Sequence, residues 1–131
     1  MIALTDCAEA MPCSAKIQIL CLALLMSFSY TAENQAAIVK YSGIRTILKF
    51  LSSTDSCERI HEYGFRLLWL FAQDPSYHDV LIEQGVVATA IAGMAAHRRR
   101  AGIQEHGCGL IRSLCFKVIT NLFFPNHGGG C

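Results

Sequence analysis

Between Glu58 and Ala72 the chain reads ERIHEYGFRLLWLFA. Ile60, Gly64, Leu67, Leu68 and Phe71 fall at i, i+4, i+7, i+8 and i+11, a single apolar face of a helix. Shifting the chain by 43 residues lays this stretch over Ala101–Cys115, AGIQEHGCGLIRSLC. Ile60 then meets Ile103, Glu62 meets Glu105, Gly64 meets Gly107, Leu67 meets Leu110, Leu68 meets Ile111 and Phe71 meets Leu114. A second shift of the same size adds Ala15–Ser29, where Ile17, Leu24, Leu25 and Phe28 take the apolar positions and Cys21 takes the glycine's. Gly43, Gly85 and Gly128, spaced 42 and 43 residues apart, form a second ladder at almost the same period. Two ladders at one period identify an internal repeat.

Each unit reads as three helices. A short one covers about 34–41 and again about 77–84, followed by a sharp turn at Gly43 or Gly85. A second covers about 45–52 and 87–97. After the polar linkers SSTDS and HRRR comes the long third helix, at 15–29, 57–72 and 101–116. Asp74-Pro75-Ser76 is a helix-start signal. Strict alternation and Asn-Gly or Asp-Gly hairpin signals are missing, so the expectation is all-α. Glycine inside a helix costs about 1 kcal/mol relative to alanine. Gly64 and Gly107 are therefore expected to serve close packing against another helix backbone.

From about Ala15 to Phe116 this arrangement resembles the armadillo repeat. The residues that carry the likeness are the turn glycine with apolar neighbours (Ser42-Gly43-Ile44, Gln84-Gly85-Val86) and the third-helix pattern Ile-x3-Gly-x3-Leu/Ile-x2-Phe/Leu. Two departures keep HEAT-like and other helical repeats open as alternatives. The proline usual after the turn glycine is absent, with Thr46 and Ala88 near its place, and Ala90, Ala92 and Gly93 make the later second helix thin. The resemblance implies a right-handed α-solenoid in one domain, 1–131, containing about three repeats cut out of phase. Terminal repeats normally carry polar caps. Neither end of the chain has one, so the expectation is a piece of a longer solenoid or a protein that self-associates through its ends.

Composition adds two things. The chain is 53% hydrophobic and 16% charged, with mean hydropathy +0.36. A typical soluble domain is roughly 25% charged, so either the chain has a membrane segment or apolar surface is left over for other protein. A net charge of +1 gives no electrostatic case for nucleic acid or an anionic membrane. The seven cysteines are odd in number and contain no CxxC, which points to a reducing compartment, cytoplasmic or also nuclear, rather than a disulfide framework. An alternative is a secreted or membrane-associated protein, because Ile17–Tyr30 after Lys16 resembles a targeting core, although Asp6 and Glu9 precede it.

The candidate chemistry is thin. His106, Cys108 and Cys115 suggest a cysteine-dependent enzyme only weakly, because residues two apart on a helix point to different sides. The expectation is packed thiols beside a solvated histidine. Arg98-Arg99-Arg100 falls short of a basic patch and reads as a solvated linker.

The resemblance implies instead a non-catalytic protein-binding scaffold without cofactors, whose third helices line a concave groove. The ladder positions then place Glu62, Arg66, Trp69, Gln73, Glu105, Arg112 and Phe116 in contact with a partner, an extended peptide or a helix. Further ladder members are Ile19, Ala23, Met26, Ser27 and Tyr30. Trp69 beside Arg112 offers a cation–π pair, the alternative being a tryptophan packed between repeats. The Trp–Asn pairs of importin-α-type members are missing at Ala23/Ser27, Arg66/Leu70 and Gly109/Ser113, and Glu62 and Glu105 offset Arg66 and Arg112. Each repeat would address about three residues of an extended partner.

Overall fold

In a computed structural model, residues 15–53 and 57–123 are described. They form seven α-helices, with no strand among them. In chain order these are α1 (Ala15–Phe28), α2 (Ala32–Lys40), α3 (Gly43–Ser52), α4 (Glu58–Ala72), α5 (His78–Glu83), α6 (Val86–Ala96) and α7 (Ala101–Phe123). A 3-10 turn, Pro75–Tyr77, precedes α5. The long helices pack in sequence, α1 on α4 and α4 on α7, while α3 covers α4 and α6 covers α7.

Local chemistry sets the boundaries. Thr31 Oγ1 caps α2 by accepting from the Asn34 N–H at 3.2 Å. Asp74 accepts from the Ser76 N–H at 3.0 Å and from its hydroxyl at 2.8 Å, with Pro75 opening the 3-10 turn. The entries to α3 and α6 are alike. The turn residue is left-handed in both, Ser42 at φ 62° and Gly85 at φ 81°. Four residues on, Thr46 and Thr89 donate back to the carbonyls of Ser42 and Gly85, at 3.3 and 3.1 Å.

The left-handed position thus falls on Ser42, one residue before the glycine that the sequence ladder picks out. Gly43 is there for space: a Cβ on it would lie 2.8 Å from the carbonyl oxygen of Ile38.

Leu22, Ile38, Ile47, Ile60, Phe65, Leu67, Leu68, Phe71, Leu81, Ile103, Leu110 and Leu114 are completely buried. On α4 and α7 the predicted apolar face largely turns inward, with Ile111 half-buried. The glycines on that face receive side chains rather than a helix backbone. A Cβ on Gly64 would come within 2.8 Å of Leu51, and one on Gly107 within 2.5 Å of the Met94 sulfur. Leu51 and Met94 are themselves one repeat apart. Gly93 does the reverse and admits the Phe65 ring, 2.5 Å from where its Cβ would be, so the thin α6 fits a bulky α4.

The first helix departs from the expectation. α1 buries Gln18, Cys21, Leu22, Leu25 and Met26, leaving Leu24 and Phe28 47% and 46% exposed. α4 is packed by α3, with Tyr77 also on Phe71, and α7 by α6 and α5, whereas α1 packs chiefly on α4 and less on α2. α1 therefore turns inward chiefly the face that meets α4.

The opposite end shows the complementary effect. Cys108 and Cys115, expected to pack as small apolar residues, are exposed, as are Phe116, Ile119, Leu122 and Phe123. Cys108 stands where Phe65 stands one repeat earlier, on the side of α4 that α7 covers.

No single described helix is long and apolar enough to cross a membrane. The pair Pro75–Glu83 and Val86–Ala96 passes on length and composition but is bent by 74°, and it buries Leu81, Val86 and Ala90 in the core.

Candidate functional site

The site is built on α4, between α1 and α7. Fixing Leu67, Leu68 and Phe71 in the core turns Glu62, Arg66 and Gln73 outward and leaves Trp69 on the boundary, half-buried. Trp69 rests on Gly109 of α7, where a Cβ would lie 2.5 Å from Cε2 of the indole. His106, one turn earlier on α7, stacks obliquely on the same indole with centroids 5.9 Å apart. Gln73 is tied back by a 3.1 Å bond from its Nε2 to the Trp69 carbonyl.

Two open cavities flank this cluster. One, of about 280 Å3, is lined by Met26 and Tyr30 from the α1 side, Arg66, Trp69, Leu70 and Gln73 from the α4 side, and His106. The other, of about 250 Å3, lies toward the start of α4 and is lined by Arg59, Glu62, Tyr63, Arg66 and again His106. Arg59 and Arg66 form no ion pair among the described residues. Glu62 leans over α7, filling the space a side chain at Gly102 would need.

Four of the seven predicted contact residues, Glu62, Arg66, Trp69 and Gln73, therefore come together. The other three, Glu105, Arg112 and Phe116, are exposed and line neither cavity. The partner of the Trp69 ring is His106, not Arg112. Trp69 takes the packed alternative, resting between successive long helices, and its exposed part lines the open cavity.

His106 departs from its expected solvated state. Its Nδ1 is buried without a hydrogen-bond partner, an arrangement that costs free energy and is uncommon in folded proteins. The contact ladder passed over it because it follows one side of the helix only. Tyr63 and His106, 43 residues apart, both line the cavity toward the start of α4, and His106 faces the preceding long helix through Trp69. A groove between helices is walled by helix flanks, and a second ladder would have found Tyr63 and His106, with Arg59 one turn before Tyr63.

The other histidine in the core is separate from this surface. His61 packs against His97, with centroids 4.5 Å apart, and edge-on to Phe65. Burial holds its imidazole below the ordinary value. The hydrogen bond with the Cys57 carbonyl works against that shift, and the nearby His97 adds to it. In the linker, Arg100 pairs with Glu58 while Arg98 and Arg99 are exposed.

Comparison with known proteins returns no matching family model, curated protein or solved structure.

Proposed function

We propose that this chain is a non-catalytic protein-binding module, an armadillo-like stack of three-helix units that takes a partner segment in the groove along α1, α4 and α7. The carrying observation is the open cavity formed by Met26, Tyr30, Arg66, Trp69, Leu70, Gln73 and His106, where an aromatic face, a guanidinium and apolar side chains converge. Tryptophan and arginine are the residues most enriched at binding hot spots. Support for the repeat comes from paired features one period apart: the Thr46 and Thr89 bonds to their turn carbonyls, and Leu51 and Met94 seated on Gly64 and Gly107. The inward face of α1 belongs to the core, which favours this reading over a cleaved targeting segment for Ile17–Tyr30.

The test is a selection of extended peptides against the full chain, followed by titration. Trp69→Ala is expected to weaken binding by about 2 kcal/mol or more, as at a hot spot, while Cys108→Ser and Cys115→Ser leave it intact. Selected peptides that bind Trp69→Ala as well as the parent chain would refute the groove.

A further inference from the structure

The two cavities share Arg66 and His106 but differ in chemistry. Toward the end of α4 the lining is mostly apolar, with Met26, Leu70 and the Trp69 indole. Toward its start the lining is polar, with Arg59, Arg66, Glu62 and Tyr63. Two guanidinium groups there face a single carboxylate, and neither is ion-paired among the described residues. The polar cavity is therefore short of a negative charge, and arginine forks are built to take carboxylates through paired N–H donors. His106 stands at the junction with a buried nitrogen that lacks a partner.

The spacing between the cavities sets a second constraint. The apolar lining centres near Leu70 and the polar lining near Tyr63. Seven residues of helix span about 10 Å, and an extended chain covers that in about three residues. Both cavities are open to the groove, which leaves room for chain on either side of the contact.

We infer that the partner segment carries a bulky apolar side chain and, about three residues away, an aspartate or glutamate. The apolar group sits on Trp69, and the carboxylate is held by Arg66 and Arg59. This rests on the groove reading above and names the partner's chemistry.

The probes are N-acetylated, C-amidated nonapeptides, each with one Leu or Phe and one Glu placed one to four residues apart in a Ser/Ala/Gly background. A matched set has Gln in place of Glu. Trp69 is the sole tryptophan of the chain, so its emission reports binding at this site directly. The best Glu peptide is expected to bind at least tenfold more tightly than its Gln counterpart. Arg66→Gln should remove most of that preference, Arg66→Lys should keep part of it, and Arg59→Gln should reduce it severalfold. Both arginines are exposed, and the helical content of each variant checks that it folds.

Equal affinity of the Glu and Gln peptides, with Trp69 emission still responding, would overturn the acidic partner and leave the groove standing. A Gln peptide with a free C-terminus that matched the Glu peptide would also overturn it, by moving the carboxylate to a chain end. If no peptide of either set perturbed Trp69 emission, both the groove and the inference would fall.

Discussion

Replacing Gly109 by alanine tests the seat of Trp69. A Cβ at Gly109 would lie 2.5, 2.7 and 2.9 Å from Cε2, Cζ2 and Cδ2 of the indole. Ordinary carbon–carbon contact needs roughly 3.5–4.0 Å, so the ring must retreat by about 1 Å. An indole is rigid and moves as one body, unlike the Met94 chain over Gly107, which can bend aside. Two terms oppose each other. Alanine gains about 1 kcal/mol in helix propensity over glycine, while overpacking costs about 1–3 kcal/mol. The expected sum runs from near zero to a loss of about 2 kcal/mol. Denaturant unfolding followed by circular dichroism would measure this sum. Trp69 emission, read separately, should shift to the red as the indole is pushed off α7 toward solvent. If Gly109→Ala gained the full propensity term and left the emission unchanged, the indole would not be resting on Gly109.

Two further outcomes follow from burial. Leu67 and Leu24 occupy the same repeat position, yet Leu67 is fully buried and Leu24 is 47% exposed. Leu67→Ala should cost about 2–5 kcal/mol as a core truncation, as should Leu68→Ala, and Leu24→Ala no more than about 0.5 kcal/mol; equal losses for Leu67 and Leu24 would overturn the account of α1. For His61, the unfolded chain takes up a proton near 6.5 and the folded chain only at a lower pH, because burial disfavours the charged ring. Its contribution is present in full above pH 6.5 and is lost as the pH falls through the lowered folded value. Denaturant midpoints should therefore drop on going from pH 7.5 to 5.5 by more in the parent than in His61→Gln, and parallel drops would refute this.

The linear pattern alone determined the helical class and the helix boundaries to within a residue or two, except that α7 runs on to Phe123. It could do so because 3.6-residue periodicity and capping chemistry are local: Ile60, Leu67, Leu68 and Phe71 lie on one side of α4 wherever that helix sits. It also brought out Trp69, Arg66, Glu62 and Gln73, since fixing the inner face of α4 fixes its outer face too.

What surrounds each face is a different matter, and only the tertiary structure decided it. Leu24 and Leu67 share a pattern but not a neighbour, so one is exposed and the other buried. Gly43 and Gly85 look alike in sequence, but Gly85 supplies a left-handed turn and Gly43 makes room for Ile38. His106 sits on an ordinary helical stretch, and its contact with Trp69 joins residues 37 apart in the chain. Burial, clearance and ring contacts are properties of pairs of elements. A single helix's periodicity sets which side chains face the same way, and its packing partners set what those side chains meet.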